Sequence, residues 1–335
     1  MVIAHPERVA ERLREMQRLI RTAVITSRGT VDSSSVTKST AADTIYGIDA
    51  VVDPIIEEYV EHWAKQDGPI VIVAEGIEPE SGRVFPHGAA EGDAALRIIM
   101  DPIDGTRGIM YDKRAAWSLA GAAVNKGEAT RLRDIEVAVM TELPTSKMAF
   151  GDVLWAVKGR GTQAVREALG GGEGQPLPIR PSKADSILHG FATVSSFFPG
   201  TKELAAELME FIIGRLVGKA DVMKATVFDD QYISTGGQFY ELIVGHDRFI
   251  ADLRPTFYAI NGQPEGLCCH PYDCATWLVA EEAGVPITDG HGRPLDGPLD
   301  CVTGLSWAGF ANSSLRAQIE PLMLEFYGKK NFHRR

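Results

Sequence analysis

Leu96-Arg97-Ile98-Ile99-Met100-Asp101-Pro102-Ile103-Asp104-Gly105-Thr106 sets two carboxylates three residues apart at the end of a largely apolar run and closes on Gly-Thr. Leu96 to Met100 reads as a short buried strand, which places Asp101 at its C-terminal tip. Pro102 then stiffens the turn, and Gly105 lets the backbone come close to a ligand. A strand that gives way here to a loop and a helix start leaves the amides of Gly105 and Thr106 facing an anion such as phosphate. Asp101 and Asp104 add the hard oxygen donors that suit a magnesium-like ion. Metal beside phosphate points to phosphoester chemistry. Asp, Pro and Gly are also ordinary turn residues, so the reading depends on what else the chain supplies in a compatible order.

Three further elements do so. Lys38-Ser39-Thr40-Ala41-Ala42-Asp43 precedes Asp49, which opens the apolar-periodic stretch Val51, Val52, Ile55, Ile56, Tyr59, Val60, Trp63 and so stands at or near a helix start. By itself Asp49 reads as a residue that favours the helix dipole. Pro69-Ile70-Val71-Ile72-Val73-Ala74-Glu75-Gly76 is a β-branched run that ends in an acid, with enough chain before Asp101 for a return to a neighbouring strand. Asp273, in Tyr272-Asp273-Cys274-Ala275-Thr276-Trp277-Leu278-Val279-Ala280-Glu281-Glu282-Ala283-Gly284, precedes a helix of small and apolar residues ending at Gly284 and reads as its N-cap or as a late metal ligand.

These elements, in this order, resemble the inositol monophosphatase family within the lithium-sensitive, magnesium-dependent superfamily of sugar, fructose-bisphosphate and 3′-phosphoadenosine phosphatases. The resemblance runs from Lys38 to about Asn312, and its specific blocks are Asp-Pro-Ile-Asp-Gly-Thr and Asp-x-Ala-x-x-Leu-x-x-Glu-Glu-Ala-Gly. It implies an α/β fold, an αβαβα sandwich of the inositol monophosphatase and fructose-1,6-bisphosphatase type. It implies that Glu75, Asp101 and the Ile103 carbonyl bind one metal, and that Asp101, Asp104 and Asp273 bind a second. Thr106 and Asp49, with Glu75, match the catalytic positions that orient and help deprotonate the attacking water. Asp104, Gly105, Thr106, Arg107 and Lys38 match the phosphate and substrate side, with Lys38 and Asp43 on a loop near the site. The cofactor implied is Mg2+, two or three ions per site, with Mn2+ a substitute, in a cytoplasmic homodimer acting on a small phosphate ester. The chain departs from the family at Gly76, where many members carry a second Glu, at Arg107-Gly108, and at Gly266, where an acid is expected. The substrate is therefore left open among sugar, polyol and nucleotide phosphates, fructose 1,6-bisphosphate included.

Charge alone supports a metal. Several carboxylates brought together would repel a phosphate and could not all stay ionised without cations among them. Metals there let water attack phosphorus directly, with no enzyme nucleophile. An aspartyl nucleophile of the Asp-x-Asp-x-Thr kind is disfavoured, because two residues separate Asp101 from Asp104 and no Lys or Arg follows Asp273 in the first turn of its helix. A regulatory or binding protein on a phosphatase fold is the reading of a different class; the full set of acids with Thr106 favours an enzyme.

The 335 residues are 44% hydrophobic and 24% charged, enough for one large core or two packed halves. A net charge of −11 argues against a nucleic-acid backbone as partner. No apolar run reaches the roughly 20 residues that span a bilayer, and the N-terminus lacks the apolar core of a signal peptide. Cys268, Cys269, Cys274 and Cys301 read as buried free thiols rather than a zinc site. Arg107, Lys113 and Arg114, just past the phosphate loop, are either a second anion site or surface charge. Gly170 to Gly174 is the expected boundary between an N-terminal half (1–170) carrying the metal loop and a C-terminal half (171–335) carrying Asp273, the two forming one phosphatase unit.

Overall fold

The computed structural model describes residues 2–28, 36–39, 44–46, 49–79, 81–218, 221 and 223–332, with 36–39, 44–46, 49 and 50 described as backbone alone. The chain opens with helix α1 (Pro6–Ser27), the short strands β1 (Val36–Ser39) and β2 (Thr44–Tyr46), and helix α2 (Asp49–Asp67). Strands β3 (Ile70–Ala74), β4 (Arg83–Phe85) and β5 (Leu96–Asp104) follow, then the short helix α3 (Thr106–Met110). A meander comes next: β6 (Ala116–Val124), β7 (Ile135–Leu143), β8 (Phe150–Val157), β9 (Thr162–Ala168) and β10 (Gln175–Pro176). The remainder alternates: β11 (Phe191–Val194), α4 (Lys202–Leu216), α5 (Thr235–Val244), β12 (Asp247–Asp252), α6 (Arg254–Ile260), α7 (Trp277–Glu282), β13 (Ile287–Thr288), β14 (Trp307–Phe310) and α8 (Ser313–Lys329).

The first sheet has strand order β10-β9-β8-β7-β6-β5-β3-β4 and the second β11-β12-β14-β13. Side chains on a strand alternate between its faces, and that alternation sorts the layers. Ile98 and Met100 of β5 pack with Val9, Leu13, Met16, Ile20 and Val24 of α1 and with Val52, Ile56 and Val60 of α2. Ile99, between them, points the other way, into a core shared with Phe239 and Leu242 of α5, Leu278 of α7, and Ile250 and Trp307 of the second sheet. Phe249 and Ala251, on the opposite face of that sheet, meet Leu204, Leu208 and Ile212 of α4 and Leu315, Ile319 and Met323 of α8. The result is a helix–sheet–helix–sheet–helix stack, the layered sandwich expected.

Three local readings change. Gly170 to Gly174 turns the chain back so that β10 pairs with β9, Gln175 against Arg166, and the first sheet thus extends past the expected boundary. Asp273 does not cap a helix. Its Oδ2 accepts from the upstream His270 amide at 2.6 Å, residues 271–276 form turns, and α7 begins only at Trp277. The strand carrying Asp101 also does not end there. β5 runs to Asp104, and its register with β6 goes from Asp101↔Leu119 to Asp104↔Trp117, so one extra residue bulges out. Pro102, which has no amide to give a ladder, is tolerated at such a bulge.

Candidate metal and phosphate site

That bulge assembles the site. Residues three apart on a regular strand point to opposite faces. The extra residue restores parity, so Asp101 and Asp104 stand opposite Leu119 and Trp117, two residues that both enter the middle core. β3 and β5 pair in parallel up to Ala74↔Met100, which brings the next residues, Glu75 and Asp101, side by side just past the end of that pairing. Asp273 arrives from the turns before α7. The carboxylates of Asp101, Asp104 and Asp273 offer oxygen atoms that all lie within 4.8 Å of one another. Glu75, Ile103, Gly105, Thr106 and Arg107 line the same cleft, of about 210 Å³.

Asp104 is held from an element the sequence reading did not connect to it. Ser234 Oγ donates to its Oδ2 at 2.8 Å, and the amides of Thr235 and Gly236 donate at 3.2 and 2.6 Å. Ser234 is also the N-cap of α5, accepting from the Gly237 amide at 2.9 Å. A Cβ at Gly236 would sit 2.4 Å from Leu119 Cδ2 and 3.1 Å from Asp104 Oδ2, so only glycine lets the helix start approach this closely. The visible signal was Ser-Thr-Gly-Gly before an apolar run; that it caps a helix against Asp104 is a tertiary fact.

Gly105 adopts φ 93° as the residue before α3, and a Cβ there would lie 3.0 Å from the Ile233 carbonyl oxygen. Thr106 Oγ1 donates to the Ile103 carbonyl oxygen at 2.7 Å, which fixes the hydroxyl's lone pairs for another donor. Lys38 and Asp49 are described as backbone alone, Asp49 as the first residue of α2, and Asp43 lies outside the described residues.

The electrostatics are those of a crowded, buried acidic group that could hold a cation. Burial, and then repulsion from Glu75, Asp104 and Asp273, pushes the Asp101 carboxyl well above its usual range. Burial raises Asp104 to about 6 although three donors oppose the shift. Asp273 also rises well above its usual range, first through burial and then through Asp104. Burial and mutual repulsion thus make ionised carboxylates in this nest costly unless positive charge offsets them.

The rest of the lining was not foreseen. Arg254, at the start of α6, is 5% exposed, and its Nε donates to Asp252 Oδ1 at 2.8 Å and its Nη2 to Asp252 Oδ2 at 2.5 Å. Its guanidinium lies 5.5 and 5.2 Å from the ring centres of Phe197 and Phe198. Lys113 and Arg114 belong to a separate recess, where Arg114 pairs with Asp230 and Glu241 and stacks 3.7 Å over Tyr232. The four cysteines are buried and form no disulfide with one another.

No family model and no curated protein matches the sequence. Solved structures do match in shape. The Thermotoga maritima inositol monophosphatase is 17% identical, with 94% of this chain and 96% of that one covered at a TM-score of 0.59. Mycobacterium tuberculosis SuhB is 16% identical, covering 96% and 98% at 0.61. The Leishmania major fructose-1,6-bisphosphatase in holo form is 13% identical, covering 97% and 94% at 0.66. The chain has the inositol monophosphatase fold. Identities this low carry the fold and no more, so activity has to be argued from the carboxylates. No helix among the described residues is long and apolar enough to cross a membrane.

Proposed function

We propose that the chain is a metal-dependent phosphomonoesterase of the inositol monophosphatase family, acting on a small sugar, polyol or nucleotide phosphate. The observation that carries this is the convergence of Asp273 with Asp101 and Asp104, from a distant part of the sequence, at one cleft. The donor set fits Mg2+: hard carboxylate oxygens, the Ile103 carbonyl, and a buried charge that is costly without a cation. Glu75, Asp101 and the Ile103 carbonyl would hold one ion, and Asp101, Asp104 and Asp273 another. Bound there, the ions supply charge neutralisation, polarisation of the phosphoryl group and a lowered pKa for water.

The protein's own groups do the rest. Thr106, its proton committed to the Ile103 carbonyl, accepts a hydrogen bond from the attacking water and so orients it; the Asp49 carboxylate is the proposed base that takes the proton. The turn of Gly105 and the neighbouring Arg107 face the phosphate. α5 holds Asp104 in place through Ser234 and Gly236.

The test is phosphate release from a panel of phosphomonoesters with Mg2+, repeated in chelator and with Asp101→Asn. Release should depend on the metal and disappear in the variant. Undiminished release in chelator would overturn the reading.

A further inference from the structure

Beyond the phosphate end, the cleft has a second wall with a different chemistry. Phe197 and Phe198 follow β11, are half-buried, and meet edge to face at 6.1 Å and 78°. Arg254 lies against both rings, and Leu267, 37% exposed, and Cys268 continue the wall. Ile233, 43% exposed, also lines the cleft, next to Ser234 in the chain.

Arg254 brings no net charge to this wall. Asp252 takes its Nε and Nη2, and Nη1 donates to the Leu267 carbonyl oxygen at 3.2 Å. A guanidinium so paired attracts a second phosphate weakly, yet it keeps a flat face and its remaining N–H groups. Around it the surface is aromatic and aliphatic. A polyol ring carries hydroxyls on every side, each needing acceptors as well as donors, and would lose water against this wall without replacement. A flat ring would instead stack on phenylalanine faces at little desolvation cost.

Resting on the phosphatase reading, we propose that Phe197, Phe198 and Arg254 form the subsite for the alcohol part of the substrate and select phosphomonoesters whose alcohol bears a flat aromatic or heteroaromatic group over polyol phosphates. Arg254 is the positioning group of the wall, and the two phenylalanines are its specificity residues.

Adenosine 3′-monophosphate and benzyl phosphate, compared with inositol 1-phosphate and glycerol 2-phosphate under Mg2+, test this. The aromatic esters should show the higher kcat/KM. Phe197→Leu and Phe198→Leu keep the apolar volume and lose the ring, and each should lower the ratio of adenosine 3′-monophosphate to glycerol 2-phosphate kcat/KM on the order of tenfold, mainly through KM. A preference for inositol 1-phosphate, or a ratio unmoved by both variants, overturns the subsite. If no ester is hydrolysed, the phosphatase reading fails instead. Calorimetric binding of adenosine 3′-monophosphate to the wild type and both Leu variants then reads the wall alone: weaker binding by the variants supports it, and equal binding or none overturns it.

Discussion

Asp101 and Asp104 show how one residue type can serve function at the expense of stability. A carboxyl whose pKa is higher in the folded state binds its proton more tightly there. The stability it contributes is therefore present at low pH and lost as pH rises from the unfolded value, about 4, through the folded one. Asp53 and Asp104 rise to about 6, Glu142 and Asp247 to about 7, each chiefly through burial, and Asp101 and Asp273 shift the same way. In chelator, the melting temperature should fall between about pH 4 and pH 7. Saturating Mg2+ should remove the part due to the cluster and leave the part due to Asp53, Glu142 and Asp247. A metal-independent slope in thermal scans would contradict this. Asp101→Asn relieves repulsion in the same nest, so in chelator it should raise the melting temperature by a few degrees while abolishing the Mg2+-induced shift and the activity. A variant less stable than wild type in chelator would show that the nest is not strained.

Among elements, the start of α5 has the most direct hold on the site. Ser234 caps the helix through the Gly237 amide and donates to Asp104, so one hydroxyl couples helix stability to a proposed metal ligand. Ser234→Ala should cost about 1 kcal/mol as a lost cap, and Mg2+ affinity should fall with it. Gly236→Ala drives a methyl against Leu119 and should cost about 1–3 kcal/mol as overpacking. Urea unfolding and metal titration of both variants check this, and loss of stability with unaltered metal affinity would break the coupling. The bulge in β5 has the same standing. Asp-Pro-Ile-Asp was visible as a candidate ligand pair only in its residue types; the extra residue against β6 that puts both acids on one face depends on the neighbouring strand. Asp273 was legible as an acid before an apolar helix, but its partner turned out to be the upstream His270 amide.

In the whole molecule, the middle layer does what the outer layers do not. Phe239 of α5 is fully buried and meets Trp307 of the second sheet edge to face at 4.8 Å, joining the helix that holds Asp104 to the far sheet. Phe239→Ala should cost about 3–5 kcal/mol and weaken Mg2+ binding. Leu13→Ala, in the core between α1, α2 and the first sheet, should cost about 2–5 kcal/mol and leave metal affinity as it was. Equal losses of metal affinity in the two variants would show that the layers do not divide the work this way.

Sequence alone determined the groups that local physics dictates. Apolar periodicity marked α2, a β-branched run marked β3, an apolar run marked β5, and acids at strand ends with a glycine beyond them marked the candidate chemistry, because each depends on residues close along the chain. The tertiary structure decided which acids meet, that α5 grips Asp104, and that Phe197, Phe198 and Arg254 face the same cleft. Those depend on strand register, one bulge and the stacking of two sheets, and such contacts join residues whose separation along the chain carries no periodic trace.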